Sequence, residues 1–157
     1  VELLNKETFQ PRGNTALLDA IGRTISSIPN KNLENNNIEN NNDYKNNKDK
    51  IIFVILTDGE ENSSKEFSYN TISKMIEERE KDGWEFVFLG ANQDAIKTAG
   101  GLGIKQNSAM TYAQTPQNVR ACFNSLSSAI SRTRSCEYTK INFSDLERME
   151  SLEQNTE

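Results

Sequence analysis

An unbroken run of apolar residues, IIFVILT over 51–57, constrains the fold of this chain more than any other feature. Its β-branched and aromatic side chains do not alternate with polar ones, which is typical of strands buried on both faces of a parallel sheet. A second run of this kind, WEFVFL, occupies 84–89, and a weaker one, MTYA, occupies 110–113. The sequence therefore predicts three strands that share a parallel sheet.

Segments with helical spacing of apolar residues alternate with these strands. Predicted helices begin at Asn14 or Thr15, at Ser68, near Asn92 and at Thr115, and a last one, with a capping box, begins at Ser144. The side chains expected to face inward include Tyr69 and Phe123, and the last helix has an apolar stripe of Leu146, Met149 and Leu152. This order predicts an α/β fold, a Rossmann-like doubly wound parallel sheet with helices on both faces. Because no strand precedes the first helix, the amino-terminal strands are predicted to be missing.

An asparagine-rich tract interrupts this pattern. Ten of the eighteen residues over 30–47 are asparagine, and the whole chain is only 34% hydrophobic. Such a segment buries too little apolar surface to offset the entropy of ordering it, so it is predicted to be a disordered insertion. The predicted division is 1–29 as the start of the domain, 30–49 as the insertion, 50–134 as the remainder and 135–157 as a helical or disordered tail.

Charge and cysteine usage exclude several classes of function. The net charge is −5, and residues 51–100 contain five basic and ten acidic side chains, which argues against a nucleic-acid surface. Cys122 and Cys136 have no CxxC partner, and the chain has no histidine, so a metal-thiolate site and a disulfide scaffold are disfavoured and a cytoplasmic location is preferred. No apolar run approaches the ~20 residues that a membrane span needs.

Two loops have the composition of a ligand site. The segment TDGEENSS (57–64) places Asp58 at the carboxyl end of the first strand, where open α/β sheets bind ligands. Carboxylate and hydroxyl oxygens suit Mg²⁺, although a polar turn also explains this loop. In PRGNTALLDA (11–20), the hydroxyl of Thr15 can cap the helix or reach a cation, and capping is the simpler interpretation. Asp19 and Asp94 are interpreted as residues of a helix face or cap rather than ligands.

Together, GNTALLDAI and a buried strand that ends in TDGEE resemble the von Willebrand factor A domain. PRGNTALLDAIGRTI, VILTDGEENSS and GWEFVFLGAN are particularly similar to small stand-alone proteins of this type from bacteria and phages, over about residues 9–133. In that family a metal-ion-dependent adhesion site combines an early DxSxS, a later threonine and a later aspartate. Thr15 matches the threonine and Asp58 the aspartate, but no DxSxS occurs, so the chain is expected to be the carboxyl-terminal part of such a domain.

The resemblance implies a metal-assisted protein-binding module rather than an enzyme. Thr15 and Asp58 would bind Mg²⁺ or Mn²⁺ weakly in this chain alone, and an acidic side chain of a protein partner would complete the metal shell. One alternative is a truncated remnant without a working site, which the absent DxSxS supports. Another is a Mg²⁺-dependent hydrolase using Asp58 and Glu60, which the lack of a histidine or other base near these loops disfavours.

Overall fold

The computed structural model describes residues 13–29, 50–91, 94–135 and 139–152. Within these ranges, five α-helices and three β-strands alternate along the chain. In order they are α1 (Leu17–Ser27), β1 (Ile52–Thr57), α2 (Tyr69–Lys81), β2 (Glu85–Ala91), α3 (Ala95–Gly101), a short 3-10 helix (Gln106–Ser108), β3 (Ala109–Tyr112), α4 (Pro116–Arg134) and α5 (Asp145–Glu150). The asparagine-rich tract lies outside the described residues.

The strands form one parallel sheet in the order β1-β2-β3. Ile52 pairs with Glu85 at the start of β1 and Thr57 with Gly90 at its end. The prediction of a mixed α/β fold around a parallel sheet is therefore confirmed, although β3 begins and ends one residue earlier than predicted. Among the described residues, no helix is long and apolar enough to cross a membrane.

The centre of the sheet is β2, whose seven residues are all buried. Its side chains alternate between two apolar clusters because successive strand residues point to opposite faces. On the first face, Phe86 and Phe88 pack with apolar residues of α1, α2 and α3. On the second face, Val87, Leu89 and Ala91 pack with residues of α4 and of the segment that precedes α5. Helices thus cover both faces of this strand.

Several helix ends match the predicted caps. The hydroxyls of Ser68 and Thr115 accept hydrogen bonds from the third residue of α2 and α4, respectively, and Ser144 and Glu147 form a capping box at α5. Asp94 caps α3 in the same way, in agreement with its interpretation as a cap residue. The predicted cap of α1 is wrong, because its N-cap residue is Ala16, which provides no side-chain hydrogen bond.

The two edges of the sheet differ. At the β3 edge, Arg148 donates to the Ala109 carbonyl and the Ser151 hydroxyl donates to the Thr111 carbonyl at 2.7 Å, so α5 and its C-cap cover this strand. The β1 edge lacks such cover among the described residues. Val54 is 37% exposed and Leu56 50% exposed, so the prediction that β1 is buried on both faces is wrong. A strand at an edge loses the lateral neighbour that buried runs of this kind usually have.

Three other predicted inward positions are corrected. Tyr69 and Phe123 are 43% and 47% exposed, because α2 buries Ile72 and Ile76 and α4 buries Cys122, Leu126 and Ala129 instead. The apolar stripe of α5 is exposed as well. Its helix docks through polar groups, including a two-point hydrogen bond from Arg132 to Glu147 at 3.0 and 3.1 Å.

Candidate functional site

The loop after β1 folds over the amino end of α1. Asn62 links the two segments twice: its side-chain oxygen accepts from the Thr15 backbone N–H at 2.8 Å, and its own N–H donates to the Thr15 carbonyl at 3.1 Å. These bonds fix the backbone of Thr15 beside the carboxyl end of β1. The two sequence segments predicted to form one site are therefore adjacent, although 47 positions separate Thr15 from Asn62.

Glu61 takes the place of the missing cap of α1. One carboxylate oxygen accepts from the Leu18 N–H at 2.9 Å and from the Ser64 hydroxyl at 2.7 Å, and the other accepts from the N–H groups of Ser63 and Ser64. Burial acts to raise the pKa of Glu61, but these hydrogen bonds outweigh it and lower the pKa below the usual range. A carboxylate at a helix amino end is also favoured by the helix dipole.

Asp19 continues this connection one turn further along α1. Its carboxylate accepts from the backbone N–H groups of Lys65, Glu66 and Phe67 at 2.9 to 3.0 Å, and its own N–H donates to the Ser64 hydroxyl. The bond from Lys65 is the main cause that lowers the pKa of Asp19, against a smaller opposing effect of burial. Asp19 is therefore a structural residue, as its interpretation as a helix-face residue predicts.

Asp58 and Glu60 differ from these two acids. Both side chains are exposed, and no hydrogen-bond donor of the described residues reaches either carboxylate. Between them, Gly59 lies so close to Thr15 that a methyl group on its α-carbon would be 2.8 Å from the Thr15 hydroxyl oxygen. Only glycine permits this approach without a shift of Thr15. The Thr15 hydroxyl thus lies one residue from Asp58 and is not used to cap α1.

An open cavity of about 370 Å³ adjoins this loop. Glu60 and Glu61 line one side, and Tyr69, Asp94 and Lys97 line others. Burial, together with the negative charges of Glu61 and Glu60, raises the pKa of Tyr69. Exposed Tyr69 therefore forms part of the wall of a polar cavity rather than part of the core, a role that its helical spacing did not indicate.

The residues present fit part of a coordination shell for a hard cation. A hydroxyl from Thr15 and a carboxylate from Asp58 are oxygen ligands of the kind that Mg²⁺ and Mn²⁺ accept. Within the described ranges, however, no group of three or more acidic, cysteine or histidine side chains is arranged to bind a metal ion. Water or a partner would have to supply the other positions of an octahedral shell.

Sequence reasoning missed Asn62, Ser64 and the capping role of Glu61. The polar run ENSS indicated a turn, but its partners lie more than 40 positions away along the chain. Comparison with known proteins gives no further guidance: no family model matches the chain, and no curated protein or solved structure is significantly similar to it.

Proposed function

We propose that this chain is a metal-assisted protein-binding module of the von Willebrand factor A type, built on a Rossmann-like doubly wound sheet, and is not an enzyme. Thr15 and Asp58 would bind Mg²⁺ or Mn²⁺, directly or through water, at the carboxyl end of β1. A carboxylate from a protein partner would complete the coordination shell. Because the sequence contains no DxSxS, the two serine ligands of that family have no counterpart in these residues, and the metal would bind weakly.

One observation carries this proposal: the Thr15 hydroxyl lies against Gly59, next to an uncompensated Asp58 carboxylate, and is not used to cap α1. A threonine at a helix start ordinarily uses its hydroxyl as a cap. Here Glu61 accepts from Leu18 instead, which leaves the Thr15 oxygen available for a ligand. The neighbouring acids that satisfy backbone amides, Asp19 and Glu61, are distinct from the acid proposed to bind the ion.

The weakness of the proposed site determines the assay. A metal present at its dissociation constant stabilises a protein by only about 0.4 kcal/mol, too little for a reliable shift in melting temperature. Paramagnetic Mn²⁺ broadens NMR signals near its binding site even at low occupancy. We expect Mn²⁺ to broaden the amide signals of Thr15, Gly59 and Asn62 before that of Phe53 at the opposite end of β1, and excess Mg²⁺ to reverse the effect.

Variants test the ligands separately. Asp58→Ala should abolish the selective broadening and Thr15→Ala should reduce it, whereas Asp145→Ala, which removes an exposed aspartate from α5, should leave it unchanged. Equal broadening in the Asp58→Ala variant and in the unaltered protein would refute the site.

The same assay tests the partner. If a carboxylate completes the metal shell, metal and carboxylate must each raise the affinity for the other by the same factor. A short peptide with one aspartate should therefore increase the Mn²⁺ affinity of the protein, and the corresponding asparagine peptide should not. Metal binding without any effect of the aspartate peptide would leave a cation site but contradict the binding function.

A further inference from the structure

The free edge of β1 has a defined set of unpaired backbone groups. The Ile51 carbonyl accepts from the Glu85 N–H at 2.9 Å, so the odd-numbered residues of this segment direct their N–H and C=O groups toward β2. The backbone groups of Ile52, Val54 and Leu56 consequently point away from the sheet, because these groups alternate in direction along a strand. Among the described residues, none donates to or accepts from them.

The side chains of β1 leave this edge unprotected as well. Strand edges are usually protected by proline, by charged residues, by bulges or by covering elements. Ile52–Thr57 has neither proline nor charge, and its pairing with β2 runs without a bulge. Val54 and Leu56 are exposed on the sheet face where Val87 and Leu89 belong to the cluster packed with α4. At the opposite edge, by contrast, Arg148 and Ser151 cover the outward carbonyls of β3.

We propose that β1 pairs with the β1 of a second copy of this chain, antiparallel and about a two-fold axis at Val54. The two three-stranded sheets then form one continuous sheet. Each of the three outward-facing residues exchanges two hydrogen bonds with its counterpart, about six in all. This interface goes beyond the proposed metal-assisted function and does not depend on it.

Charge complementarity selects this register. Only even-numbered residues have outward backbone groups, so an even-numbered residue must pair with another. With Val54 opposite Val54 of the second copy, Ile52 faces Leu56, and Lys50 faces Asp58. A shift of two residues in either direction would place Leu56 opposite Lys50 or Ile52 opposite Asp58. The proposed register therefore pairs apolar residues at the centre and opposite charges at both ends, in a self-complementary arrangement.

The expected dimer is weak. An interface limited mainly to two strand edges belongs to the small end of protein interfaces, for which micromolar dissociation constants are common. Sedimentation velocity over a concentration series should show a reversible monomer–dimer equilibrium of the full chain. A monomer at every concentration would overturn the proposal, since another part of the chain must then protect β1. Open-ended aggregation would also overturn it, because a two-fold interface closes at two copies.

Two substitutions at Val54 test the register without disturbing the pairing with β2. Val54→Lys places two lysines directly opposite each other and should raise the dissociation constant by about tenfold or more. Val54→Pro removes only an outward N–H group and should weaken the dimer while the sheet remains folded. Leu146→Lys is the matched control, since it replaces an exposed apolar residue of α5 by the same charge and should not change the dimer. Unchanged dimerisation in both Val54 variants would refute this interface.

Cross-linking tests the two-fold axis directly. Residues that face each other in a hydrogen-bonded antiparallel pair have α-carbons about 5.5 Å apart, within the range of about 4.4–6.8 Å that a disulfide allows. In a Cys136→Ser background, Val54→Cys should form a disulfide-linked dimer, whereas Leu56→Cys should do so only when mixed with Ile52→Cys. Cys122 is buried, which raises its pKa to about 11, so it should not react. Efficient cross-linking of Leu56→Cys by itself would contradict the register.

Discussion

Replacing Glu61 by alanine should destabilise the fold more than any other single change in the loop after β1. The substitution removes the acceptor of the Leu18 N–H, which acts as the missing cap of α1, and the acceptor of the Ser63 and Ser64 N–H groups. A cap contributes about 1 kcal/mol, and each further hydrogen bond to a half-exposed carboxylate about 0.5–1.5 kcal/mol. We therefore expect the free energy of unfolding to fall by about 2–4 kcal/mol.

Thermal unfolding followed by circular dichroism measures this loss. For a chain of this length, each kcal/mol corresponds to about 2–4 °C, so the melting temperature should fall by roughly 4–16 °C. Glu60→Ala is the matched control. It removes a neighbouring exposed glutamate that no described donor reaches, and such surface changes are usually within about 0.5 kcal/mol. Equal melting temperatures for the two variants would refute the capping role of Glu61.

The pH dependence provides a second readout. The pKa of Glu61 is lower in the folded protein than its ordinary value, so its stabilising contribution is complete above the ordinary pKa and is lost as the pH falls through the folded one. The difference in stability between the unaltered protein and Glu61→Gln should therefore be constant near neutral pH and shrink from about pH 5 downward. A difference that grows in acid would contradict the sign of this linkage.

Two further predictions concern packing and the asparagine-rich tract. Gly22→Ala should lower the melting temperature, because the added methyl group would lie 2.5 Å from the Phe67 ring, and overpacking of about 1–3 kcal/mol exceeds the roughly 1 kcal/mol gained in helix propensity. Gly100→Ala in α3, where no atom lies within 4 Å of the new methyl group, should instead raise it; the same sign for both would refute this explanation. Deletion of most of 30–47 should leave the fold intact, since loop closure changes by only about 0.6 kcal/mol per halving of length, and calorimetric loss of cooperative unfolding would contradict this.

Local patterns in the sequence determined the order and type of the elements. The run over 51–57 predicted β1, and Ser68, Thr115 and Ser144 marked the starts of three helices. These features depend on propensities and caps within a few residues, so a single sequence contains the information. The alternation of helices with apolar strands likewise predicted the parallel sheet.

Only the tertiary structure decided which groups satisfy one another across the chain. Thr15 and Asp58 were selected from the sequence as one site, and the fold brings their loops together, but their metal-binding role remains a prediction. Glu61 replaces Thr15 in its capping role because the loop after β1 folds over α1, a contact between residues 43 positions apart that no local pattern contains. Strand position is likewise a property of the whole sheet. The composition of β1 predicted burial on both faces, whereas its place at an uncovered edge exposes Val54 and Leu56.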